Sequence, residues 1–122
     1  MPEPTRSPFS YAILRVVPRV ERGEQFNAGV VLFCRQRGFL DARVALDEAR
    51  LRALARVARG DPECGPIATL PQSERFGWLV APSSTIIQPS EVHTGLSEDP
   101  QATLDALFAE LVEPVTQGRA TR

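Results

Sequence analysis

Arginine is the residue type with the widest chemical reach in this 122-residue chain, because all 14 of its cations are arginine and none is lysine. Arg15, Arg19, Arg22, Glu24, Asn27 and Gly29 fall within one short stretch, and Arg43 follows on the next predicted strand. A guanidinium presents a planar fork of donors that grips a phosphate or carboxylate through two parallel hydrogen bonds. Asn27 adds an amide, and a glycine at position 29 would let a ligand come close to the backbone. The cluster is a candidate site for an anionic ligand or for a partner surface. The same residues have a plainer reading. Arginines on the open side of a half-covered sheet are ordinary, and a cross-strand polar pair contributes only about 0.2–1 kcal/mol. The missing lysine likewise fits coding bias from a GC-rich genome.

Other residue types offer less. Glu24 is a lone carboxylate in a predicted turn, with no neighbour in sequence to share a proton or raise its pKa, so a turn role is the simpler one. Asparagine just after a turn often bonds to local backbone, which is the plain reading of Asn27. His93 is the only histidine. Any Ser–His or Cys–His nucleophile would therefore need it beside Ser83, Ser84, Ser90 or Cys64, and none of those serines lies in a Gly-x-Ser-x-Gly elbow. Cys34 and Cys64 are far apart and lack zinc-ligand or redox spacing, so no metal or other cofactor is expected. Arg52, Arg56 and Arg59 recur at helical spacing and form a basic stripe that suits a nucleic-acid backbone or an acidic partner, although a solvated face explains it as well. The formal charge of -1 opposes a general attraction to nucleic acid or to an anionic membrane.

These residues must be positioned by a β-hairpin running from about Phe9 to Gln36. Ala12, Leu14, Val16, Pro18 and Val20 alternate as one apolar face, and Phe26, Ala28, Val30, Leu32 and Cys34 as another. Keeping both apolar sets together calls for even residues opposite even residues across a loop of Arg22, Gly23 and Glu24. That register pairs Arg19 with Asn27, Val16 with Val30 and Leu14 with Leu32, and it sets Arg15 and Arg43 to either side of Val31. Cys34 reads as a small core residue. Gln36-Arg37-Gly38 makes a second turn with a left-handed glycine, and a third strand runs from Phe39 to Leu46. Asp47 is placed to cap a helix ending at Gly60, and Asp99 with Pro100 to open a second one ending at Pro114. Short strands are expected at Phe76 to Val80 and Thr85 to Gln88. The fold class is α+β: an antiparallel meander of three to five strands with two amphipathic helices on one face. A single domain spans residues 9–113, with residues 1–8 and 115–122 expected to be flexible. No apolar run is long enough for a targeting or membrane segment, and a cytoplasmic location is expected.

The run Arg15-Val16-Val17-Pro18-Arg19-Val20-Glu21-Arg22-Gly23-Glu24-Gln25-Phe26-Asn27-Ala28-Gly29-Val30-Val31-Leu32-Phe33 resembles a bacterial family known as domain-of-unknown-function family 3037. Weaker matches follow at Arg75-Phe76-x-Trp78-Leu79, Gln88-Pro89, His93-Thr94-Gly95 and Asp99-Pro100. The family has no established activity, and some members are encoded beside a HipA-like kinase-fold protein. The resemblance thus implies a class of partner and no reaction. The leading expectation is a non-catalytic interaction or regulatory module acting with such a partner through the mixed face of the hairpin. The alternatives are a small enzyme or binding protein for an anionic ligand, in which Arg15, Arg19, Glu24, Asn27 and His93 converge, and nucleic-acid binding through the Arg52 stripe.

Overall fold

The computed structural model describes residues 6–16, 26–45, 49–81 and 87–112. Five strands, β1 (Ser7–Val16), β2 (Phe26–Cys34), β3 (Phe39–Val44), β4 (Ile87–Pro89) and β5 (His93–Ser97), form one antiparallel sheet. Three helices, α1 (Ala49–Arg59), α2 (Gln72–Val80) and α3 (Pro100–Leu111), pack on it, so the fold is α+β as expected. β1 is the central strand. β2 and then β3 lie to one side, while β4 and β5 follow one another along the other. β1 begins at Ser7, which is buried. No helix among the described residues is long and apolar enough to cross a membrane.

The hairpin register differs from the one the alternation predicts. Leu14 faces Gly29 and Arg15 faces Asn27, which leaves Ala28 as an extra residue on β2. Val30 opposes Ile13 instead of Val16, and Leu32 opposes Tyr11 instead of Leu14. A bulge of this kind switches the face of every residue beyond it, so even residues of β1 share a face with odd residues of the outer part of β2. The parity argument failed because both faces of the sheet are apolar. With two buried faces, unbroken alternation no longer identifies the register. The carbonyl left over at Ala28 is taken by the N–H of Ala45, 2.8 Å away.

One face carries Ala12, Leu14, Val16, Val31, Leu40 and Ala42 against Leu51, Ala55 and Ala58 of α1 and Phe76 and Leu79 of α2. The opposite face carries Phe9, Val30, Leu32 and Cys34 against Leu104 and Phe108 of α3 and the adjacent Val112. α1 and α2 share one face, and α3, the second of the helices expected from sequence, covers the other. Cys34 is fully buried in this second core. Asp99 opens α3 by accepting the Ala102 N–H, with Pro100 in the first turn. Gly38 adopts the left-handed conformation expected after a single 3-10 turn at Arg35–Arg37. Asp47 lies outside the described residues.

Phe76–Val80, expected as a strand, is the second half of α2. Its aromatic and β-branched composition suits a strand, but Phe76 and Leu79 are spaced to share one helical side, and both are buried while Trp78 is 44% exposed. Arg75 helps to hold the helix in place, donating to the Leu70 and Ala58 carbonyls. Of the expected strand at Thr85 to Gln88, Ile87 and Gln88 belong to β4, and Thr85 lies outside the described residues. The segment beginning at His93, read from sequence as a loop, is β5.

Candidate functional site

Arg15 is the centre of the polar cluster that the structure describes. It lies on the face covered by α3 with the other odd residues of β1, and the bulge at Ala28 brings Asn27 of β2 opposite it, with Gln88 of β4 on its other side. A guanidinium is thus flanked by two side-chain amides across three strands, and Arg15 itself is half-buried. No carboxylate partner of Arg15 is present among the described residues. Asn27 is partly committed, because its Nδ2 donates to the Leu111 carbonyl 3.0 Å away. That carbonyl is one of those the last turn of α3 leaves without an intrahelical donor, so Asn27 fastens the end of the helix to the sheet.

The other candidates separate from this centre. Arg43 is in register with Val30, and Val30 with Ile13, so Arg43 sits two strands across and two residues along from Arg15, about 12 Å by sheet spacing. Its guanidinium donates to Asp105 Oδ1 at 2.9 Å and lies 4.4 Å from the centre of the Phe108 ring. It anchors α3 and does not join Arg15. The room at Gly29 is filled by β3: a Cβ there would lie 2.8 Å from the Arg43 carbonyl oxygen and 3.0 Å from Val44 Cγ1. The close approach that needs glycine is that of a neighbouring strand. His93 is opposite Tyr11, with ring centres 5.2 Å apart, four residues along β1 from the Arg15 pair and so roughly 13 Å away. Arg19, Arg22 and Glu24 lie outside the described residues.

The serine and arginine candidates also resolve into structural roles. Ser90 accepts the Ile13 N–H and donates to the Glu91 carbonyl, which occupies its hydroxyl at a point where the register against β1 advances by one residue between β4 and β5. It repairs the ladder there. Arg56 pairs with Asp61 and Glu63, and Arg59 with Asp41, so the stripe on α1 is largely neutralised by neighbouring carboxylates. The Asp61 carboxyl is held below the usual carboxylate range, first by the Glu63 N–H it accepts and then by Arg56. The same pair raises the Arg56 guanidinium further, chiefly through its hydrogen bond to Asp61. Among the described residues no group of histidine, cysteine and carboxylate side chains is arranged to hold a metal ion.

Sequence reasoning missed the place of one residue and the role of another. Gln88 joins the Arg15 row only because β4 docks beside β1, and nothing local in the sequence announces that pairing. Ser90 is named from sequence only as a possible nucleophile beside His93, with no sign that it bonds 77 residues away.

The model of the family described as protein of unknown function (DUF3037) matches residues 11–59 and 49–112, and the chain belongs to that family. No curated protein and no solved structure matches it.

Proposed function

We propose, from that family membership and the arrangement around Arg15, that the protein is a non-catalytic interaction module of the cytoplasm that docks a partner protein on the Asn27–Arg15–Gln88 row. The partner class the resemblance points to is a HipA-like kinase-fold protein, whose activity the docked module would regulate. The observation supporting this reading is the state of Arg15. Arg6, Arg43, Arg56 and Arg59 each face a carboxylate, whereas Arg15 has none among the described residues. A half-buried guanidinium flanked by amides has already lost part of its side-chain freedom, so an incoming carboxylate gains a fork-shaped pair of bonds at reduced entropic cost.

Co-purification of the tagged chain with a HipA-like protein encoded beside it tests the reading. Wild type should retain the partner, and Arg15→Ala should weaken binding by about tenfold or more, with the unfolding midpoint unmoved. Failure of wild type to retain it, or equal retention by the variant, counts against the proposal.

A second reading places a small anion on the same guanidinium, favoured by that missing carboxylate. Titration with inorganic phosphate, followed by the Arg15 side-chain resonances, separates the two: saturable shifts support the anion, and none leaves protein docking.

A further inference from the structure

We infer that β5 pairs edge to edge with β5 of a second copy of this chain, antiparallel about a two-fold axis at Thr94, so that two five-stranded sheets become one. The hydrogen-bonding parity of the edge comes first. Ser90 N donates to the Ile13 carbonyl and the Ile13 N–H goes to Ser90 Oγ, so the odd residues of β1 direct their backbone groups toward this side. Pro8, which has no N–H, falls in the even set. His93, Gly95 and Ser97, opposite Tyr11, Phe9 and Ser7, therefore point inward, and the backbone groups of Thr94 and Leu96 point out of the sheet. No described group bonds to them. A row of free donors and acceptors at a sheet edge is a template for another strand.

Complementarity of the edge with itself selects the occupant. Leu96 is 62% and Val92 44% exposed, two of the three large apolar side chains that stand in solvent among the described residues. Antiparallel pairing about Thr94 sets Leu96 of each copy opposite Val92 of the other, twice over. The same register puts Ser97 opposite Glu91 of the second copy. Sliding the pairing by two residues, with Gly95 on the axis, separates the apolar pairs and brings Glu91 opposite Asp99. The apolar match and the charges thus choose one register. A single strand pair of this length buries less than the roughly 1,200 Å² of a small stable interface, which corresponds to a weak dimer with Kd of about 100 μM.

Sedimentation equilibrium of the full chain over a range of concentrations spanning that Kd reads the result directly. The expected outcome is a reversible doubling of mass in wild type. Thr94→Pro removes the central outward N–H without touching a bond to β1, and proline is tolerated at such edge positions. It should weaken dimerisation at least tenfold while circular dichroism and the unfolding midpoint stay at wild-type values. Leu96→Lys should do the same by setting an ammonium group against Val92 of the other copy in place of the apolar pair, and it keeps the test decisive should Thr94→Pro fold poorly. A wild-type chain that remains monomeric up to about 1 mM overturns the inference. So does a dimer that survives Leu96→Lys, or a monomer whose β5 edge pairs only with a foreign peptide.

Discussion

Along β3 the outer edge of the sheet is blocked by its own chain, whereas the outer edge of β5 has no cover among the described residues. At β3 the Ala42 N–H is taken by Asp41 Oδ1, the Ala42 carbonyl by Arg59, and Arg59 in turn pairs with Asp41 at 2.9 Å. Gln72, at the start of α2, reaches the Gly38 carbonyl just before the strand. The helices that follow β3 in sequence return to lie on it, so their polar side chains are at hand for its free backbone groups. At β5 the inward side is finished with equal care. Ser90 mends the break in the ladder, and the Phe9 ring lies where a Cβ on Gly95 would be, only 2.7 Å from its Cζ. The outward side has no described covering. Edges are costly to leave open, and the edge without a described cover is the one at which we infer pairing with a second copy.

Removing the repair at the open side gives the largest effect we expect. Ser90→Ala deletes the acceptor for the Ile13 N–H, a bond 2.8 Å long in a buried position. An unpartnered buried donor costs about 1–3 kcal/mol. The unfolding midpoint should fall accordingly, and the Ile13 amide should lose most of its protection from hydrogen exchange. If Ile13 keeps wild-type protection in the variant, β4 and β5 are not joined to β1 through this hydroxyl.

How much of this was legible in the sequence depends on whether the cause was local. Asp99 and Pro100 announce the start of α3, and Gly38 announces the turn before β3, because capping and left-handed backbone are decided by one or two residues. The extra residue at Ala28 was hidden, since Phe26 to Cys34 is apolar on both faces and each register looks equally greasy. α2 was misread for a related reason: five residues from Phe76 to Val80 are too few to tell period two from period 3.6. At the candidate site, Arg15 and Asn27 were singled out and do face one another. Their fellow candidate Arg43 was diverted by Asp105 and Phe108, which lie more than 60 residues later and owe their place to α3 docking on the second face.

Opening the closed edge is the next test in size. Arg59→Ala frees the Ala42 carbonyl and strips Asp41 of its partner. The Arg59 side chain is 54% exposed, so solvent screening holds the stability loss to about 0.5–1 kcal/mol. The informative change lies elsewhere: with its block removed, β3 should support a second mode of association. Sedimentation of this variant should show species larger than a dimer, and combining it with Leu96→Lys should restrict association to the β3 edge. Should Arg59→Ala associate like wild type, the guanidinium is not what keeps that edge closed.

The smallest effect belongs to Asp61→Asn, which serves as the control for Arg59. Arg56 and Arg59 both leave α1 to pair with an aspartate, but Asp61 sits in the turn after the helix, where its carboxylate bonds to Arg56 and the Glu63 N–H, whereas Asp41 lies on β3. Losing this pair therefore separates the loss of an arginine–aspartate contact from the opening of an edge. Its signature is in the pH dependence. Because folding lowers the Asp61 pKa, through the Glu63 N–H and Arg56, the contribution is complete above the carboxylate's unfolded value and fades as pH falls through the lower folded one. Wild type should lose a small increment of stability on acidification that Asp61→Asn lacks, read as unfolding midpoints that converge as the pH falls below the ordinary aspartate range. Association should not change at any pH, because the amide at 61 leaves Arg59 on Asp41 and both sheet edges as they were.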